Sequence, residues 1–223
     1  MSQAIGDVLP SAVGVALSPV PIIAVILMLA TPKARKNGPA FALGWILGLI
    51  VVSVIVVLLA SGADDAGSTT SDAIYWVKLT MGVLFLAMAA QQWRKRPQSG
   101  QTAEVPKWMQ SIDSFTSGKS LLLGAALSGA NPKNLALTLA AAASIAQAGL
   151  DGAQSAIAVS VFVVIGSLTV AGPVLFFMFA SVKAAGPLDA IKEFMSAHNS
   201  VIMMVVLLVL GAKLIGNGIA GLG

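Results

Sequence analysis

The chain has 223 residues, of which 57% are hydrophobic and 10% charged, with a net charge of +4 and no cysteine. Soluble domains carry about 25% charged residues, so a mean hydropathy of +0.90 excludes the ordinary globular class, and the lack of cysteine excludes disulfide, thiolate-metal and thiol-relay chemistry. The cations flank apolar runs instead of forming a patch, which argues against nucleic acid and for membrane lipids as the partner.

Six apolar runs approach the span length of about 20 residues: roughly 8–30, 39–61, 74–93, 120–148, 154–180 and 199–219. The first basic residue is Lys33, so segment one is expected to be a retained span and not a cleaved leader. It contains Ser18-Pro19-Val20-Pro21, helix breakers where a continuous membrane helix would have none. The next loop carries Lys33, Arg35 and Lys36. Segment two holds Gly44 and Gly48 at GxxxG spacing, which permits close helix contact within the bundle or at a homodimer interface. Asp64, Asp65 and Asp72 follow without a basic residue. In segment three Lys78 is expected to snorkel outward beside Tyr75 and Trp76.

The linker 97–118 opens on a flexible polar stretch from Pro97, then offers Trp108, Met109, Ile112 and Phe115 on one face. That pattern predicts a short amphipathic helix in the headgroup layer. Segment four would be about 43 Å long if wholly helical, against a hydrocarbon core of about 30 Å. Gly129-Ala130-Asn131-Pro132 supplies a break to absorb the excess. Proline removes a donor, Asn131 can cap the next half-helix, and Pro132 then stands at the tolerated first position. Gly172-Pro173 is expected to kink segment five. Residues 187–198 form a second amphipathic stretch, and His198 at a span edge reads as structural.

Loop charges set orientation. The cations of the loops after segments one, three and five all fall on one side, including Lys107, Lys119, Lys183 and Lys192. Those loops are therefore expected in the cytoplasm and both termini outside. Gly14–Pro21 matches Gly124–Pro132 after a one-residue gap, and Met81-Gly82-Val83-Leu84 more weakly answers Leu210-Gly211-Ala212-Lys213. The expected fold is all-α and polytopic. Its six transmembrane helices form a 3+3 inverted repeat (1–96, linker 97–118, 119–223), with the first and fourth helices broken near the midplane.

The breaks define the candidate substrate site: Ser18, Pro19, Pro21, Ser128, Asn131, Pro132, Lys133, Asn134 and Lys213. Half-helices starting near residues 22 and 132 would aim positive ends into the protein, favouring an anion; simple kinks packed by neighbours are the alternative. Lys133 lies close to the midplane, where a cation costs at least about 2.5 kcal/mol, and Lys213 is also inside its apolar run. No Asp or Glu lies within a span. Hard divalent cations want carboxylate oxygens, so metal transport is disfavoured, and an anionic substrate is left to answer the lysines. Ser18, Ser128, Asn134 and Thr138 either orient a ligand or satisfy carbonyls freed by the breaks. Nothing resembles an enzyme site, and no cofactor or metal is expected.

Asn131-Pro132-Lys133 in a broken fourth span resembles the lysine exporter (LysE) superfamily. Four further phrases are similar to its branch of glycopeptidolipid- and sulfolipid-addressing (GAP) proteins. They are Gln92-Trp93-Arg94-Lys95-Arg96, Pro106-Lys107-Trp108-Met109 with Ile112-Asp113, Ala130 to Asn134, and Leu210-Gly211-Ala212-Lys213-Leu214-Ile215-Gly216-Asn217-Gly218. The resemblance implies a bacterial inner-membrane protein linked to export of envelope lipids or other amphiphiles. An accessory protein docking a larger lipid exporter, and a small-solute (amino acid) exporter, are the alternative functions. Ser18-Pro19-Val20-Pro21 replaces a second Asn-Pro-Lys, so the two half-sites are chemically unequal.

Overall fold

A computed structural model describes residues 1–63, 69–94, 96 and 107–222. Asp64, Asp65, Lys95 and the polar stretch from Pro97 lie outside the described residues, as do the side chains of Asp72, Lys107 and Trp108. The described elements are helical: α1 (Ser2–Ala16), α2 (Pro19–Leu29), α3 (Ala34–Ala63), α4 (Thr69–Arg94), a 3₁₀ helix (Lys107–Ser114), α5 (Ser117–Gly129), α6 (Pro132–Gln147) and α7 (Gly152–Leu222).

Both anticipated breaks are present. α1 and α2 meet at a 51° bend, and α5 gives way to α6 at Ala130-Asn131. In α7 the one non-helical residue is Ala180, so backbone winding persists through Gly172-Pro173 and fails a turn or two later. The amphipathic stretch 187–198 therefore continues into the last apolar run as one arm, Lys183–Gly221. At 39 residues that arm is far longer than a bilayer core requires.

Three helices are long and apolar enough to cross a membrane, and up to four if the bent pair α1–α2 counts as one span. Their outward faces make the same point. Leu59 is 71% exposed and Phe179 88%, amid Leu43, Leu47, Val51, Ile55, Val164, Leu168 and Leu175. Continuous apolar belts on helix after helix need a hydrocarbon solvent. This is a membrane protein.

Inside, Phe41, Trp45 and Leu49 of α3 pack with Val15, Met28, Phe85, Leu137, Phe162 and Leu207 from the surrounding helices. Small residues bring the backbones together. A Cβ on Gly44 would strike the carbonyl of Leu121, and one on Gly124 the carbonyl of Phe41, so α3 and α5 cross in near backbone contact. The GxxxG of α3 is thus spent inside the bundle. Gly82 of α4 and Gly211 of α7 face each other in the same way, each 2.9 Å from the other's carbonyl oxygen at the Cβ position. These are the two glycines of the weaker sequence match.

The linker helix differs from expectation in where its apolar face goes. Met109 and Ile112 are buried and the helix packs on α2, while Asn37 Nδ2 donates to the Phe115 carbonyl at 2.9 Å. The protein itself takes up side chains that were expected among lipid headgroups. At the same end, Leu188 is buried beside the α2 terminus and Asp189 pairs with Lys192.

Candidate functional site

α1 stops because Ser18 is extended (φ −89°, ψ 105°) and Pro19 cannot donate to the preceding turn. Pro19 instead opens α2 at a position where its missing N–H does no harm. The break frees the carbonyl of Ala16, and Thr169 Oγ1 from α7 donates to it at 2.6 Å. Inside a membrane such a carbonyl must find a partner from the protein.

The second break is built by the same rules with different residues. Asn131 is extended, its Oδ1 accepts from the Lys133 N–H at 3.1 Å, and Pro132 takes the first helical position. The carbonyl freed at Leu127 accepts from Asn134 Nδ2 at 2.9 Å. α6 therefore begins inside the bundle with its cap satisfied by its own sequence.

The two breaks touch. Lys133 Nζ donates to Ser18 Oγ at 2.8 Å, and Ser18 Oγ donates to Asn134 Oδ1 at 2.7 Å. A directional chain thus runs from ammonium to hydroxyl to amide to the Leu127 carbonyl, crossing from α2 to α6 and α5. Ser18, Lys133 and Asn134 are all buried. Among the described residues no carboxylate lies within ion-pair distance of Lys133. Its charge is answered by one neutral hydroxyl, and a buried cation so poorly matched is rare outside functional sites.

The remaining predicted residues divide clearly. Pro19, Pro21, Asn131 and Pro132 shape the breaks. Ser128 Oγ and Thr138 Oγ1 donate to carbonyls one turn back in their own helices, at 3.1 Å and 2.8 Å. Lys213 stands apart: its Nζ donates to the Asp7 carbonyl at 3.0 Å, with the Asp7 carboxylate 3.9 Å away. Asp7 lies about 13 Å along α1 from its last residue, Ala16, and Ser18 lies beyond the break. Lys78, expected to reach outward, donates to the exposed Gln147 Oε1 at 2.8 Å with its ammonium 5.4 Å from the Tyr75 ring. His198 is exposed, with a ring nitrogen 2.9 Å from the Phe194 carbonyl and its ring stacked on that phenyl.

A cavity of about 740 Å³ between α3 and the first part of α7 is walled by Ile50, Val54, Leu58, Val159 and Val163. It offers shape without charge. The polar chemistry is concentrated at the joined breaks.

A family model described as Sap, sulfolipid-1-addressing protein, matches residues 8–220, a stretch that includes both breaks and every candidate site residue. The chain belongs to that family. Comparison with curated proteins and with solved structures gave no match. The resemblance to the glycopeptidolipid- and sulfolipid-addressing branch is borne out for this Sap-family chain.

Sequence reading missed Thr169 and Trp45, which hold this Sap-family site from outside. Trp45 Nε1 donates to the Gly166 carbonyl at 3.3 Å, tying α3 to α7 one turn from the Thr169 contact. A polar Thr in an otherwise apolar span was the available signal for the first. Nothing in the sequence pattern singles out Trp45.

Proposed function

We propose that the protein is an exporter, or a translocation component, that moves an anionic amphiphile across the bacterial inner membrane by alternating access around Lys133. The six apolar runs are read as six spans in a 3+3 inverted arrangement, with the basic loops inside and both termini outside. The observation that carries this reading is the buried Lys133 ammonium, held by the neutral Ser18 hydroxyl with no carboxylate in reach among the described residues. An anionic head could displace or share that hydroxyl and supply the missing charge. The sign of the site is the sign a sulfolipid head requires, which joins the geometry to the family's description. Transport leaves the substrate chemically unchanged, so no catalytic group or cofactor is invoked.

Pairing of the breaks supports the motion as well as the site. Two carbonyls freed at the breaks are each satisfied by a side chain from another turn or helix, Ala16 by Thr169 and Leu127 by Asn134. Such bonds can exchange partners without exposing bare backbone to lipid.

The test uses purified protein in phosphatidylcholine liposomes carrying traces of fluorescent phosphatidic acid or fluorescent sulfatide in both leaflets. Dithionite bleaches the outer leaflet only. Wild type, with or without an imposed proton gradient, is expected to bring the inner pool out to be bleached, and Lys133→Met to leave it protected. Equal translocation by the two proteins would remove the proposed role of Lys133. A wild type inert towards both lipids under all gradients would favour the accessory function.

A further inference from the structure

The far ends of α1, α4, α6 and α7 enclose a second polar space that the Lys133 site does not use. A cavity of about 380 Å³ is lined by Asp7, Lys78, Ser144, Gln147 and Asn217. It adjoins a throat of about 20 Å³ that shares Asp7, Lys78, Ser144 and Asn217 and adds Lys213. Two ammonium groups therefore face one carboxylate in the lining. Asp7 answers one of the two charges: its backbone carbonyl accepts from Lys213 at 3.0 Å and its carboxylate forms a loose ion pair with the same ammonium at 3.9 Å. Lys78 is held by the neutral amide oxygen of Gln147. The lining keeps an excess positive charge beside neutral polar groups from Asn217 and Ser144.

Leu137 and Leu210 line the throat, and Leu137 stands one turn along α6 from Lys133. On α1, Asp7, Ser11 and Gly14 recur at helical spacing along one face, with Ser18 just past the break at its end, and on α6 Lys133, Leu137, Ala140 and Ser144 share one face. Ser18 meets Lys133 at one end of this seam, and Asp7 and Ser144 line the cavity at the other. Between them Leu137 and Leu210 fill the space left by Gly14, coming to 3.0 Å and 2.7 Å of where its Cβ would stand. The two sites are neighbours along one seam, separated by this single apolar constriction.

From this geometry we infer that the Asp7–Lys78–Lys213 cavity is a second binding station for a tetrahedral oxyanion, a sulfate or phosphate ester, which leaves Lys133 past the Leu137–Leu210 constriction. The inference rests on the reading of Lys133 as a substrate site. It adds where the anion goes next and which residues receive it. Lys78 and Lys213 each contribute a charge-assisted donor to the oxyanion, and Asp7 keeps the station weak enough to release it.

The chain has no cysteine, so Ser144→Cys places one thiol in the cavity. Its rate of modification in phosphatidylcholine nanodiscs is read with a sulfonate-bearing and a trimethylammonium-bearing methanethiosulfonate. The sulfonate is expected to react faster, and Lys78→Gln with Lys213→Gln to lower the rate ratio roughly tenfold, in the range of electrostatic focusing. Asp7→Asn should raise the ratio, a gain that a misfolded variant would not give. Octyl sulfate is expected to protect the thiol while octyl glucoside does not. Protection by octyl sulfate alone identifies a lipid head as occupant, whereas equal protection by sodium sulfate identifies a free oxyanion at the same station. A rate ratio indifferent to all three substitutions, or absence of protection by either sulfate, overturns the inference. Lys133→Met separates the two readings. Lost protection in the Ser144→Cys protein with Lys133-dependent transport refutes only the second station, and retained protection with Lys133-independent transport refutes only the midspan site.

Discussion

Replacing Lys133 by Met asks whether this residue is kept for stability or for function. The substitution nearly conserves volume and stays apolar, a change that costs less than about 1.5 kcal/mol in most cores. It removes a cation whose burial within a span costs at least about 2.5 kcal/mol. It also removes the 2.8 Å bond to Ser18, and hydrogen bonds to charged groups contribute about 1.5–3 kcal/mol. These terms largely offset one another, so Lys133→Met should unfold within about 2 kcal/mol of wild type. Asn134→Ala is the opposite case. It strands the buried Leu127 carbonyl and removes the acceptor of Ser18, and each orphaned buried group costs about 1–3 kcal/mol. Denaturant unfolding of the purified protein, followed by tryptophan fluorescence, should therefore rank Asn134→Ala below the other two proteins. Should Lys133→Met lose more than about 3 kcal/mol, the lysine is a structural strut and the argument for a substrate-seeking charge fails.

Two other perturbations probe the frame. Gly44→Ala and Gly124→Ala each push a methyl into a backbone carbonyl of the partner helix, and should lose at least about 1–3 kcal/mol of stability. Gly172→Ala, with open space at its Cβ position, should match wild type in the same melting measurement. Single cysteines test sidedness: an impermeant thiol reagent added to intact cells should label Ser144→Cys, leave the buried Ser18→Cys unmodified, and reach Ser114→Cys only after the membrane is opened. Labelling of Ser114→Cys from outside would reverse the proposed orientation.

The breaks were legible because proline and asparagine act locally. Pro19 and Pro132 set their own φ and Asn131 caps its own helix, so Ser18-Pro19 and Asn131-Pro132 announce themselves without tertiary information. Lys133 was legible for a related reason, since a cation deep in an apolar run has few innocent explanations. What the sequence could not convey is which groups from distant segments meet. Nothing local says that Ser18 receives the lysine, that Thr169 covers Ala16, or that Lys213 pairs with Asp7 instead of joining Lys133. Lys78 sits with its ammonium 5.4 Å from the Tyr75 ring, in keeping with its aromatic neighbour, but nothing local foretold that exposed Gln147 would accept its hydrogen bond. The linker's apolar stripe does turn one face inward, at Met109 and Ile112, whereas in 187–198 Leu188 is buried but Ile191 is exposed. Periodicity records that a face is apolar and not whether protein or lipid will cover it.

Ser18 and Lys133 lie more than a hundred residues apart, and among the described residues the ammonium donates to that hydroxyl, which donates onward to Asn134. A ribosome therefore delivers the hydroxyl long before the ammonium, and the early helices meet the bilayer with an unanswered group. The later helices arrive carrying a charge that lipid disfavours. Complementary discomforts of this kind act as a matchmaker during biogenesis, drawing the halves into register before side-chain packing has had time to choose it.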